Sequence, residues 1–254
     1  MKMEKILKIK IFYLLIFLSS ILFISCGSKK IKPIPDADTQ FQLALKEFNN
    51  KHFTEAVTEF RKLIFNYPGF ANIDSAQYLL ALSYYEDDEY AYAIGEFKKL
   101  ISSFPSSHLA DDASLMIGKA NLKLSPKPSL DQTYTRYAIE TLKSFLEDYP
   151  ESDLVPEAKN LLQKSKDKLA QKAYKNGELY VKLGYYQAAL IYLEEVLENY
   201  PDSPWMSWAL YQKGEVKRLQ KENGEAENYY RKVMDEYPES KAAQKAKERL
   251  EELK

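Results

Sequence analysis

Apolar side chains in this chain recur at helical spacing in five blocks, and each block is stopped by a proline. The stops are aromatic-proline pairs: Tyr67-Pro68, Phe104-Pro105, Tyr149-Pro150, Tyr200-Pro201 and Tyr237-Pro238. Twelve residues before each proline stands an alanine (Ala56, Ala93, Ala138, Ala189, Ala226). Four residues after that alanine comes a large apolar residue (Phe60, Phe97, Leu142, Leu193, Tyr230), and seven after it another (Leu63, Leu100, Phe145, Val196, Val233). This spacing is one face of an α-helix, which proline ends.

A second alanine follows each proline by eight residues (Ala76, Ala113, Ala158, Ala209, Ala246), so a second helix begins after every stop. Ser107, Ser152, Ser203 and Ser240, two residues beyond the prolines, are placed to cap these helices. Only a small residue lets two helix axes approach closely, which accounts for an alanine with a bulky residue one turn away. The unit is therefore helix-turn-helix and resembles the tetratricopeptide (TPR) repeat, which sets a small residue in helix A and an alanine in helix B and closes with proline. Twelve residues before the helix B alanine stand Ala44, Ala81, Gly177 and Gly214; the third repeat fits with Gly118 and eight inserted residues.

The prolines are spaced by 37, 45, 51 and 37 residues, so repeats three and four carry insertions of 8 and 14. The first falls in the proline-rich segment Ser125-Pro126-Lys127-Pro128-Ser129. The second falls between Asp153 and Leu183, where Leu161, Leu162, Leu169, Ala173, Tyr180 and Leu183 keep a helical period. Fourteen residues is close to four helical turns, so the insertion lengthens one helix without turning its apolar face away. The expected fold is all-α: a TPR solenoid of five repeats (roughly 37–69, 72–106, 109–151, 153–202 and 205–238), with one long helix bridging repeats three and four. A polar helix over 239–254, with Ala243, Ala246, Leu250 and Leu253 on one face, caps the stack.

The amino terminus reads differently. Lys2, Lys5, Lys8 and Lys10 precede an uncharged, largely apolar run from Ile11 to Ile24, the anatomy of a secretory signal and short for a membrane span. The single cysteine follows at once in Phe23-Ile24-Ser25-Cys26-Gly27, which resembles a bacterial lipobox with Phe23 in place of the usual leucine. Residues 1–25 then form the signal peptide, Cys26 is the lipid-attachment site, and residues 26–36 are the tether. Several acyl chains together hold a protein stably on a membrane. The resemblance further implies that Gly27, not being aspartate, directs the lipoprotein to the outer membrane.

Removal of residues 1–25 takes away four lysines and one glutamate, so the formal charge moves from -1 to -4. A mildly acidic chain is poorly suited to nucleic acid. Without further cysteine it has no disulfide, and stability rests on stacking of repeats. The two histidines, His52 and His108, stand in no metal-binding or triad spacing, and none of the eight glycines forms a phosphate-cradling motif. No catalytic residue, metal or cofactor is expected.

In a TPR the A helices face the concave side. One turn before the small residues of the first two repeats come Phe41 and Tyr78, and one turn after them Phe48 and Tyr85. Four aromatics in this register form the candidate groove for an extended or hairpin peptide, since aromatic rings offer large contact area with few rotors to freeze. Ordinary core packing draws on the same residue types in a chain with 20 Tyr and 12 Phe. The paired Lys and Asn positions of carboxylate-clamp TPRs are not evident.

The order of parts, together with Tyr149-Pro150-Glu151-Ser152, the run Lys166-Asp167-Lys168-Leu169-Ala170 and Tyr200-Pro201-Asp202-Ser203, resembles the BamD family, the TPR lipoproteins of the β-barrel assembly machinery. The resemblance implies a scaffold without enzymatic activity. Its N-terminal repeats would receive unfolded outer-membrane proteins, and its C-terminal repeats would dock on periplasmic POTRA domains of the barrel subunit BamA. At residue level it transfers Cys26, since helix B of repeat four carries Tyr192, Glu194 and Glu195 where partner-contacting charges would stand. A TPR lipoprotein adaptor for peptidoglycan hydrolases or cell-division factors shares the same sequence features.

Overall fold

The computed structural model describes residues 35–253. The signal peptide, Cys26 and the tether up to residue 34 lie outside the described residues. Eleven α-helices, and no strand, make up the described residues: α1 (Ala37–Asn49), α2 (Phe53–Asn66), α3 (Ile73–Glu86), α4 (Tyr90–Ser103), α5 (Ala110–Leu124), α6 (Thr133–Asp148), α7 (Val155–Lys182), α8 (Tyr186–Asn199), α9 (Trp205–Leu219), α10 (Asn223–Glu236) and α11 (Lys241–Glu252). Each packs on the next, and the A helices also meet one another at α5–α7 and α7–α9, with the cap joining at α9–α11. This is the helix-pair stacking of a TPR solenoid: five A/B pairs, a long bridging A helix and a terminal capping helix.

The B helices end identically. Tyr67, Phe104, Tyr149, Tyr200 and Tyr237 all sit near φ -130°, ψ 55°, outside the helical region, as the following proline requires. Each donates its N–H to the carbonyl of the apolar residue four before it, from Leu63 to Val233.

The A-to-B turns follow a rule invisible in the residue types. Lys51, Asp88, Gly184 and Lys221, each five residues before the helix B alanine, have φ of 60 to 77°. Around them the N–H groups of His52, Glu89, Tyr185 and Glu222 reach the carbonyls of Glu47, Tyr84, Tyr180 and Lys217, giving a Schellman closure in four of the repeats. Only the fourth repeat uses glycine for this left-handed position.

Small residues mark the crossings as expected: Ala44, Ala56, Ala81, Ala93, Ala138, Ala189 and Ala226 are wholly buried. A Cβ built on Gly118, Gly177 or Gly214 would stand 2.9, 2.9 and 2.6 Å from Leu142, Leu193 and Tyr230 respectively, the bulky residues of the facing B helices. The bridging helix α7 has 28 residues, a length of about 42 Å. Its first half enters the core of repeat three through Ala158, beside Leu142 and Phe145, and its second half builds repeat four with Ala170, Ala173, Tyr174 and Gly177. Leu183, expected on the apolar face, is instead exposed in the turn.

The serines correct one expectation. Ser240 caps α11, accepting from the Ala243 N–H, but helices α5, α7 and α9 start two or three residues beyond Ser107, Ser152 and Ser203. Ser107 and Ser152 instead staple successive repeats: they donate to Asp74 (2.6 Å) and Asp111 (2.7 Å) in the first turn of the preceding A helix. Repeats one and two have a further device. The amides of Gln40 and Gln77, both buried, donate to the backbone carbonyl and carboxylate of Glu59 and Glu96 on helix B. A buried amide so satisfied costs little and fixes the angle of the pair.

Candidate functional site

Phe41, Phe48, Tyr78 and Tyr85 are all partly buried against the core of the first two repeats. Each rests on a ring of its own repeat. Phe41 meets Phe60 edge-on at 6.1 Å, and Tyr78 meets the equivalent Phe97 at 5.5 Å. Phe48 meets Phe53 at 5.7 Å, and Tyr85 meets the equivalent Tyr90 at 5.2 Å. The register read from sequence therefore repeats as a structural motif, with one aromatic on the middle and one on the start of helix B. Among the described residues none of the four stacks on another, so they form a spaced row and not a cluster. Burial, reinforced by Asp112 and Asp111, pushes the Tyr78 hydroxyl up to about 12, so it stays a neutral donor at physiological pH.

A second surface, which the sequence reading did not single out, lies at the turn between α7 and α8. Leu183 (56% exposed), Tyr185 (64%) and Ile191 (71%) present apolar area to solvent. Tyr185 also lines a cleft of about 670 Å³ together with Tyr180, Tyr186, Ala188 and Gln220. Tyr180 stacks on Tyr192 at 5.4 Å, nearly parallel, and makes one wall rigid. The signal for this surface was present. Ile191 stands opposite the buried line Ala189, Leu193, Val196, and an apolar residue off the buried face is the informative kind.

The C-terminal repeats are held by buried charge. Glu215 accepts from Arg218 of its own helix, from Arg249 of the capping helix at 3.1 Å and from the Tyr230 hydroxyl. Burial alone pushes the Glu215 carboxyl up, but the hydrogen bonds from Arg218 and Tyr230 and the charge of Arg249 hold it below its ordinary value. Lys213, equally buried on α9, pairs with Glu194 of α8. These groups satisfy one another. His52 pairs with Glu47 at 2.9 Å, and no group of three or more His, Cys, Asp or Glu among the described residues is placed to hold a metal. Nor is any described helix long and apolar enough to cross a membrane.

Five stacked helix pairs closed by a capping helix define a solenoid of the TPR class. The family model YfiO, described as an outer membrane lipoprotein, matches residues 35–231, and the chain belongs to that family. No curated protein matches it significantly. Among solved structures it is similar to the TPR2AB domain of yeast Sti1 in complex with pHSP90, at 17% identity and TM-score 0.44, covering 82% of this chain and 80% of that one. It is also similar to TTC0263, a TPR protein of Thermus thermophilus, at 16% identity and TM-score 0.36, covering 86% and 98%. A tetratricopeptide repeat protein from Parabacteroides merdae aligns at 12% identity and TM-score 0.38, covering 85% and 73%.

Proposed function

We propose that this protein is a non-enzymatic scaffold of the β-barrel assembly machinery, anchored through acylated Cys26 in the outer membrane and facing the periplasm. The aromatic row of repeats one and two receives unfolded outer-membrane proteins. The repeats beyond the bridging helix dock BamA and other subunits. The observation that carries this reading is the separation of two unlike surfaces, Phe41, Phe48, Tyr78 and Tyr85 packed on the core of repeats one and two, and Leu183, Tyr185 and Ile191 exposed at the end of α7 and the start of α8. Family membership supports the outer-membrane address.

The test uses surface changes on each side. Tyr78→Ala with Tyr85→Ala should weaken cross-linking to a C-terminal barrel peptide and leave co-purification with BamA intact. Tyr185→Ala with Ile191→Ser should do the reverse, because solenoid repeats contact only their neighbours. Recovery of murein hydrolases in place of BamA from detergent-extracted membranes would replace this reading with that of a peptidoglycan adaptor. Full-strength peptide binding by a folded double tyrosine variant would assign those rings to packing alone.

A further inference from the structure

The insertion in repeat three does more than connect α5 to α6. It lies against the second half of α7 and is fixed there by hydrogen bonds: Lys168 donates to the carbonyl of Ser125 (3.2 Å) and Lys172 to that of Leu130 (2.6 Å). From within the loop, the wholly buried Gln132 donates to the carbonyls of Lys127 and Leu130. A loop anchored at both ends and in its middle makes a preformed wall. Between it and α7 is a cleft of about 520 Å³ lined by Lys127, Pro128, Lys172, Lys175, Asn176 and Leu179.

The lining is unlike the rest of this acidic chain: three ammonium groups and no carboxylate. Among the described residues Lys127 has no ion-pair partner and the Asn176 amide no hydrogen-bond partner. Lys175 shares Glu178 (3.0 Å) with Lys182, and Asp131 faces Lys172 from the loop, so cationic charge remains in excess. Pro128 and Leu179, the latter 52% exposed, add apolar area beside the charges. We infer that this cleft binds an acidic linear peptide segment of a partner protein. The lysines take carboxylates, Leu179 and Pro128 take an apolar side chain, and the Asn176 amide takes the peptide backbone. A lipid headgroup would use the ammonium groups alone and leave the amide and the apolar wall without purpose. Charge complementarity of this kind steers encounter and fixes register.

The test is fluorescence anisotropy with the full chain in micelles of an uncharged detergent. The probe is a labelled ten-residue peptide carrying four aspartates and three leucines. Binding is expected with a Kd below about 1 mM and is expected to weaken as salt rises. Lys127→Gln with Lys175→Gln, which leaves the loop anchors Lys168 and Lys172 in place, should weaken binding about tenfold or more. Lys232→Gln with Lys247→Gln, on α10 and α11, should change nothing, and a peptide with lysines for aspartates should not bind. Equal affinity of the cleft variant and the unaltered chain overturns the inference. So does absence of peptide binding, or loss in the cleft variant of binding to anionic phospholipid vesicles when the peptide never binds.

Discussion

Substituting Gly214 by alanine adds one methyl group at the tightest glycine crossing among the described residues. The new Cβ would lie 2.6 Å from Cε1 and 2.9 Å from Cδ1 of Tyr230, and 3.3 Å from Cβ of Tyr229. Tyr230 is wholly buried and its hydroxyl is tied to Glu215, so the ring cannot swing aside without breaking that bond. Overpacking costs typically about 1–3 kcal/mol, against which alanine returns up to about 1 kcal/mol of helix propensity. The net loss should be up to about 2 kcal/mol, a fall in thermal midpoint of up to roughly 8 °C for a domain of this size. Gly95 on α4 supplies the control, since nothing lies within 4 Å of its built Cβ. There alanine should stabilise by about 0.5–1 kcal/mol. The chain's two tryptophans, Trp205 and Trp208, lie on α9 with Gly214, so tryptophan fluorescence during urea titration reports the affected repeat. Should Gly214→Ala raise the midpoint as Gly95→Ala does, close approach of α9 and α10 does not govern this crossing.

Lys221, at φ 66°, bears the steric cost of the left-handed region, so Lys221→Gly should stabilise by about 0.5–1 kcal/mol in the same titration. The folded-state value of Glu215 lies below its ordinary 4.5, so its contribution is fully present above that value and is lost as pH falls through the depressed one. The urea midpoint of the unaltered chain should therefore fall more steeply as pH drops below 4.5 than that of Glu215→Gln, and parallel curves would refute the role given to this carboxylate. Cys26→Ser should leave the precursor uncleaved or release soluble protein, and mass spectrometry of the mature amino terminus decides it.

Patterns that depend on residues close in sequence were legible. The aromatic-proline stops, the alanine crossings, Gly118 once the eight-residue insertion is allowed for, and the single long helix follow from helical spacing alone. The turns did not, because Lys51 and Lys221 are not residue types that announce a left-handed conformation. The serines misled for a related reason. Their partners, Asp74 and Asp111, lie 33 and 41 residues away, and a rule about local capping cannot weigh a distant carboxylate. At the candidate site the register of Phe41, Phe48, Tyr78 and Tyr85 was readable, but not that each ring rests on helix B of its own repeat. The apolar surface around Tyr185 and Ile191 was not legible from periodicity, because helical spacing marks the buried face and not the exposed one.

The length of the second insertion is constrained by phase. In α3, α5 and α9 the residue that receives the previous repeat and the residue that opens the next crossing are five apart, as in Ala76 and Ala81, Ala113 and Gly118, and Ala209 and Gly214. In α7 the equivalent pair is Ala158 and Gly177, nineteen apart. At about 100° per residue the fourteen extra positions end roughly 40° short of four full turns, and the two crossings move about 21 Å further apart along the helix. An insertion of two residues would have turned Gly177 by about 200° and presented a polar face to Leu193. The helix can therefore belong to two separate hydrophobic cores, with Ala158 beside Phe145 in one and Gly177 against Leu193 in the other. Between them the core thins to side chains such as Ser165, whose hydroxyl returns to the carbonyl of Leu161. The insertion loop, fastened to this same stretch by Lys168 and Lys172, lies where the second half of α7 has no repeat-three helix B to cover it. Two cores joined by one continuous helix let the N-terminal aromatic row and the C-terminal apolar surface be altered independently, which is the physical basis for expecting the two binding roles of the proposed function to separate by mutation.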